Sequence, residues 1–141
     1  MTFETFEHQA DVGVKGIGIG IEEAFQECAK AMFSVEVNLE KVNPKKSIKI
    51  KCSAKNQEEL LVEWLNALLA QSSIKEIVFS EFKVMITKEP LGFMLEGEAK
   101  GEKLDKKHEP KIEVKAATYS QVRVYHDEDV DKWIVQCIVD V

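Results

Sequence analysis

Two aspartates lie at the ends of apolar segments, where a carboxylate is out of place. Asp11 precedes the run V-G-V, and Asp140 is the second-last residue of the closing segment W-I-V-Q-C-I-V-D-V. If the two segments are neighbours in one sheet, the carboxylates converge beside the main-chain and terminal oxygens of Val141. Such hard oxygen donors suit Ca²⁺, Mg²⁺ or Mn²⁺ and are poor ligands for zinc or copper. The alternative is a pair of exposed acids near chain turns, since nothing local in the sequence proves adjacency.

A second group of acids forms the pattern D-x-D-x-D at Asp127, Asp129 and Asp131. A calcium loop of this type needs glycine at its sixth position and glutamate at its twelfth, which here are Lys132 and Ile138. The pattern therefore favours an acidic hairpin turn over a metal loop.

The run G-I-G-I-G at 16–20 precedes a predicted helix and looks like a phosphate-binding loop. It completes neither the dinucleotide fingerprint, whose sixth position is isoleucine here, nor the Gly-Lys-Ser/Thr phosphate loop. The apolar side chains change sides of the predicted strand between Val14 and Ile17. This change of phase predicts a β-bulge near Lys15 and Gly16, with the glycines allowing close backbone packing.

No conventional catalytic set emerges from the remaining residues. The histidines fall in predicted loops or strand ends without ligand spacing, at His8, His108 and His126. The cysteines are far apart on predicted apolar faces, which indicates buried free thiols, at Cys28, Cys52 and Cys137. A helper or binding protein is therefore favoured over an enzyme, although a metal-dependent phosphohydrolase using the same aspartates remains open.

Composition narrows the partners of this 141-residue chain. The formal net charge of −6 argues against a general nucleic-acid binder, and acids interrupt the lysine-rich stretch 100–115, which therefore indicates a solvated loop. No apolar run is long enough to span a membrane, and acids occupy the N-terminal positions where a signal peptide carries bases. We expect a cytoplasmic protein with no membrane partner and no stable nucleic-acid binding of its own.

The patterning predicts one α+β domain over residues 1–141, a mostly antiparallel sheet with two main amphipathic helices packed on it. The closing segment 133–141 is apolar on both sides, which predicts a central strand. One helix begins at Gly20, and the other begins after the N-cap Asn56, with a broad leucine and tryptophan stripe typical of core packing. Further strands are predicted at 2–7, 12–19, 48–54, 82–86, 91–99, 112–116 and 122–124.

Several motifs occur along the chain at set spacings. His8, Ala10, Asp11 and Gly13 form His-x-Ala-Asp-x-Gly, and residues 60–69 read Leu-Leu-Val-x-Trp-Leu-Asn-x-Leu-Leu. A Gly-Glu…Asp…His stretch follows at 101–108, V-K-A-x-T-Y occupies 114–119, and the chain closes on Trp133…Asp140-Val141. By these motifs the chain resembles the archease family along nearly its whole length, but Ser120 replaces the histidine that usually follows Thr-Tyr in that family.

The resemblance implies a divalent-cation site, often occupied by calcium, built from Asp11, Asp140 and Val141. It also implies a non-catalytic activator of an RtcB-type RNA ligase in tRNA splicing, which promotes guanylylation and turnover of the ligase and broadens its nucleotide use. A second role proposed for the family is a chaperone-like modulator of an RNA-modifying enzyme such as a tRNA methyltransferase.

Overall fold

The computed structural model describes all 141 residues, which form two helices and eight strands. The helices are α1 (Ile21–Glu36) and α2 (Gln57–Lys75). The five-stranded sheet contains β1 (Thr2–His8), β2 (Asp11–Gly18), β6 (Ala116–Ala117), β7 (Arg123–Asp127) and β8 (Lys132–Asp140). The three-stranded sheet contains β3 (Lys46–Ala54), β4 (Ile77–Glu89) and β5 (Gly92–Lys103). All pairings are antiparallel, which confirms the predicted α+β class, although the strands divide into two sheets.

The closing strand β8 is central, as its two apolar sides predict. It pairs with β2 along one edge and with β6 and β7 along the other. Val135, Cys137 and Val139 are fully buried in the main core, because they face the helices. Burial raises the pKa of the Cys137 thiol to about 12, so this cysteine is held as a protonated apolar side chain, as the sequence predicts.

The predicted β-bulge near Lys15 and Gly16 is wrong, because β2 keeps an uninterrupted register with both β1 and β8. The apolar pattern changes phase because glycines replace side chains on the face that meets α1. A Cβ atom at Gly16 would collide with the backbone of Ala24 and Cys28. The helix therefore rests directly on the strand backbone, and the only register shift in either sheet lies in β4, between Phe79 and Glu81.

Helix α2 begins and packs as its sequence predicts. The Asn56 side chain accepts a hydrogen bond from the backbone N–H of Glu59 at 2.8 Å, which satisfies one of the free donors of the first turn. The leucine and tryptophan stripe is buried, and Trp64 Nε1 donates to the Phe25 carbonyl of α1 at 3.2 Å. Each helix contacts strands of both sheets, so the inner faces of the two sheets share one core. Neither helix combines the length and apolar composition needed to cross a membrane.

The strand predicted at 112–116 is largely absent, and only Ala116–Ala117 pairs with β8. The preceding segment bonds to the end of α1 instead. The Val114 N–H donates to the Glu36 carboxylate at 2.9 Å, and the Lys111 N–H donates to the Glu36 carbonyl at 2.7 Å. This segment covers the helix end, and the resulting burial raises the pKa of the Glu36 carboxyl group.

Candidate metal centre

The strand register brings the two sequence-predicted aspartates together. The last ladder pair between β2 and β8 is Val12 with Val139, so the next step along both strands places Asp11 opposite Asp140. Opposed residues of an antiparallel pair point to the same face, and neighbouring strands are about 4.8 Å apart. His8 pairs with Asp11 on the other side, so three polar residues form one transverse row, which we call the acidic row (His8, Asp11 and Asp140). Val141 directly follows Asp140 and packs partly against the core.

The electrostatics of the acidic row favour a cation. Neither aspartate carboxylate forms an ion pair or accepts a hydrogen bond within the protein. Like charges opposed across two strands destabilise a sheet unless something neutralises them. No three His, Cys, Asp or Glu side chains lie close enough together in this protein to hold a metal ion by themselves. The oxygen shell of a bound Ca²⁺ or Mg²⁺ would therefore have to come from the two carboxylates, the main-chain oxygens of Val141 and water. Oxygen donors of this kind suit such ions.

His8 is the member of this row whose position sequence reasoning missed. Its Nδ1 is the one buried side-chain nitrogen or oxygen in the protein that lacks a hydrogen-bond partner. The H-x-A-D spacing carried the signal, because a two-residue turn at Gln9 and Ala10 places residues three apart opposite each other. Buried nitrogens without a hydrogen-bond partner are rare in folded proteins, so this atom marks the edge of the sheet beside Asp11 as a candidate site.

The Gly-Glu…Asp…His stretch forms a separate, structural network. His108 is fully buried, and its Nε2 lies 3.0 Å from the Glu102 carboxylate, while its Nδ1 accepts from the Asp105 N–H at 3.0 Å. Because Nδ1 accepts, the ring proton lies on Nε2 and is donated to Glu102. Glu102 also accepts from the Asn43 N–H at 2.8 Å and pairs with Lys107 at 3.1 Å. These bonds fasten the 102–109 loop to the start of β3.

The same bonds hold the pKa of Glu102 at about 2, chiefly through the Asn43 N–H and then through His108. A carboxylate whose pKa is lower in the folded state than the usual value of about 4.3 stabilises the fold at higher pH. That contribution is complete above about pH 5 and disappears as the pH falls towards 2. We expect Glu102→Gln to lower the Tm at pH 7, with the difference from wild type shrinking steadily between pH 5 and pH 2.5.

Thermal melts across this pH range, followed by circular dichroism, test the expectation. Glu96→Gln is the matched control, because Glu96 is exposed on β5 and makes no ion pair. The Tm of Glu96→Gln should match that of the wild type at every pH. A Tm difference for Glu102→Gln that stays constant from pH 7 to pH 2.5 would contradict the assigned role of the carboxylate.

Two other sequence features have no chemical site around them. The run 127–131 is a hairpin turn between β7 and β8, as predicted, with His126 Nε2 2.9 Å from Asp131. Ser120 is exposed, and its carbonyl accepts from the Ile138 N–H at 3.1 Å. The backbone of Ser120 therefore supports β8 at Ile138, which lies two residues before Asp140.

Comparison with known proteins places this architecture. The model of the Archease protein family (MTH1598/TM1083) matches residues 3–141. The chain belongs to the archease family. It is 41% identical over 140 residues to the protein archease of Pyrococcus abyssi, covering 99% of this chain and 98% of that protein. The archease of Thermococcus kodakarensis is 40% identical over 139 residues, covering 98% and 97% of the two chains.

A solved structure has the same archease fold. The solution structure of Methanobacterium thermoautotrophicum protein 1598 matches with a TM-score of 0.86 and 32% sequence identity, covering 99% of this chain and 98% of that one. The resemblance carried by the H-x-A-D and second-helix motifs is thereby confirmed. In this archease, the H-x-A-D motif forms one side of the acidic row, and the closing strand supplies the other.

Proposed function

We propose that this archease is a non-catalytic activator of an RtcB-type tRNA-splicing ligase in the cytoplasm. It promotes guanylylation and turnover of the ligase and broadens its nucleotide use. Family membership supports the general assignment, and the observation that carries the specific one is the acidic row. Two carboxylates face each other there without any protein cation, at the exposed end of a rigid central strand pair.

The residues proposed to hold a divalent cation are Asp11, Asp140 and Val141. Asp11 and Asp140 would each contribute a carboxylate from adjacent strands, and Val141 would contribute main-chain oxygen. The ladder from Val12 with Val139 back to Gly18 with Trp133 fixes the backbone positions from which the two carboxylates extend. A bound Ca²⁺, Mg²⁺ or Mn²⁺ would supply positive charge able to neutralise phosphate oxygens.

The position of the acidic row suits insertion into a phosphate-binding pocket. Asp140 is exposed, and the row lies where β2 and β8 end rather than in the middle of the sheet face. The net charge of −6 favours docking on the basic RNA-binding surface expected of an RNA ligase, because complementary charge accelerates encounter and selects the partner. The archease would thereby help to position a nucleotide triphosphate for attack by the ligase.

Formation of the covalent ligase–GMP adduct tests the proposal. Cognate ligase, GTP and divalent metal are mixed with and without a substoichiometric amount of the archease, and adduct is followed by radiolabel. We expect faster adduct formation and repeated ligation turnover with the archease present. A ligase that is competent alone and gains nothing from the archease would contradict the proposed function.

A further inference from the structure

The outer faces of the two sheets differ in composition. On the three-stranded sheet the outer face carries a charge ladder, in which Glu98 lies between Lys49 and Lys83. On the five-stranded sheet the helices lie against the inner face, where Cys28 of α1 donates to the Val14 carbonyl. The outer face there is mixed. Its apolar side chains are Phe6, Ile17, Tyr125, Ile134 and Ile138, and the same face carries the acidic row together with Glu4, Lys15, Arg123 and Gln136.

Two unpaired cations cross this outer face on either side of Gln136, which is buried and donates to the Gln121 carbonyl at 3.2 Å. Lys15, Gln136 and Arg123 are register partners on β2, β8 and β7. Neither Lys15 nor Arg123 forms an ion pair with any carboxylate. Arg123 is the only arginine of the sequence. Its planar guanidinium, with several fixed donors, matches phosphate geometry better than a lysine does.

Each cation of the row lies near an aromatic ring. Lys15 Nζ is 5.8 Å from the centroid of the Phe6 ring, and Arg123 Cζ is 4.3 Å from the centroid of the Tyr125 ring. Both rings are partly exposed. The Phe6 ring lies over Gly13, where a Cβ atom would collide with it. We call this surface the cation–aromatic face (Phe6, Lys15, Arg123, Tyr125 and Gln136).

We propose that the cation–aromatic face binds a single strand of nucleic acid. Lys15 and Arg123 would contact backbone phosphates through their N–H groups, and bases would stack on the guanidinium plane that covers Tyr125 and on the side of the Phe6 ring that faces away from Gly13. Proteins that hold single strands combine cations that follow the backbone with aromatic side chains that receive base faces, and an exposed sheet is a common platform for both. An acidic peptide would satisfy the two cations but would leave the Phe6 ring and the guanidinium plane of Arg123 without flat partners.

The charge around the face limits its affinity. Glu4 lies opposite Lys15, and the whole protein has a net charge of −6, so long-range attraction for a polyanion is absent. With two phosphate contacts, the slope of log K against log salt concentration should be about −1.4. This weak binding is consistent with a composition that disfavours a stable nucleic-acid binder. The acidic row adjoins this face on the same side of the sheet: Phe6 lies two residues, about 7 Å, from His8 on β1, and Lys15 lies four residues, about 13 Å, from Asp11 on β2.

Titration of the ¹⁵N-labelled full-length protein with a uridine hexanucleotide at 50 mM and 200 mM salt tests the inference. We expect amide shifts that cluster at Lys15, Arg123 and Gln136, and a roughly tenfold loss of affinity in Arg123→Glu. The matched control is Lys49→Glu, which makes the same charge change on the outer face of the other sheet. It should bind the hexanucleotide within about twofold of wild type. If Arg123→Glu alters the spectrum of the free protein, Arg123→Gln and Lys15→Gln replace it.

Three results would overturn the inference. They are an absence of shifts on β2, β7 and β8, an equal loss of affinity in Lys49→Glu, and equally strong shifts with a glutamate hexapeptide. Stimulation of ligase–GMP formation without RNA separates this inference from the proposed function. Arg123→Glu should leave that stimulation unchanged, and its loss would assign the face to the ligase rather than to nucleic acid. If the wild type fails to stimulate but binds the hexanucleotide as described, only the proposed function fails.

Discussion

Replacing Asp11 by asparagine is expected to abolish the stimulation of ligase guanylylation, with a loss of at least roughly 100-fold. Asparagine keeps the size of the side chain but removes the negative charge, so a site with two side-chain carboxylates retains only one. Asp140→Asn should have the same effect, because the two side chains are opposed in register and would share one ion. The double variant should be no worse than either single variant, since each removes the same function.

The matched control for this experiment is Asp129→Asn in the turn between β7 and β8. It makes the same chemical change at an exposed acid outside the acidic row and should stimulate the ligase as wild type does. Full stimulation by Asp11→Asn would contradict the proposal that a bound cation is needed, and it would favour a chaperone-like role, which needs no carboxylate at this position. In thermal melts without metal, Asp11→Asn and Asp140→Asn should be at least as stable as wild type, because these side chains make no stabilising contact within the protein and each substitution removes a like-charge repulsion.

Gly16→Ala is expected to destabilise the fold by about 3 kcal/mol, a large effect for a single added methyl group. Its Cβ would overlap the Ala24 carbonyl and the backbone of Cys28, and neither can move without shifting α1 from the sheet. Urea unfolding, followed by circular dichroism, measures the change in the free energy of unfolding. A shift of α1 would also disturb the buried hydrogen bond from Trp64 to the Phe25 carbonyl.

Gly20→Ala provides the comparison within the same glycine run. Nothing lies within 4 Å of a Cβ atom at Gly20, and its φ of −121° is accessible to alanine. Its free energy of unfolding should change by no more than about 1 kcal/mol, the usual difference between glycine and alanine at an N-cap. Equal destabilisation by the two substitutions would show that close packing of α1 on β2 is not the reason for Gly16.

Local sequence patterns correctly predicted the elements in which residue types alone indicate which side is buried or where the helix begins. The closing strand has apolar residues on both sides, and α2 has a clear cap at Asn56 and a clear stripe. The glycine run led to the wrong prediction of a bulge, because the absence of a side chain is compatible both with a bulge and with close packing of a helix. The strand predicted at 112–116 was also largely wrong. The Val114 N–H bonds to the Glu36 side chain rather than to a neighbouring strand, and the alternation of apolar and polar residues does not distinguish these two partners.

The candidate site shows the same division. The type of residue at Asp11 and Asp140 indicated hard-cation chemistry, but their sequence separation concealed that they are opposed in register. Only the pairing of β2 with β8 brings them together. The orphaned Nδ1 of His8 was equally hidden, because burial of one ring atom depends on the whole edge of the sheet.

Calcium titration of the purified archease by isothermal calorimetry measures whether Asp11 and Asp140 hold an ion together. We expect one site per chain, binding that is lost in Asp11→Asn and in Asp140→Asn, and unchanged binding in Asp129→Asn. Magnesium and manganese, titrated in the same way, then rank the ions that the site accepts. The proposed cation site would be contradicted if the wild-type protein bound none of the three ions, or if Asp11→Asn and Asp140→Asn bound them as tightly as wild type.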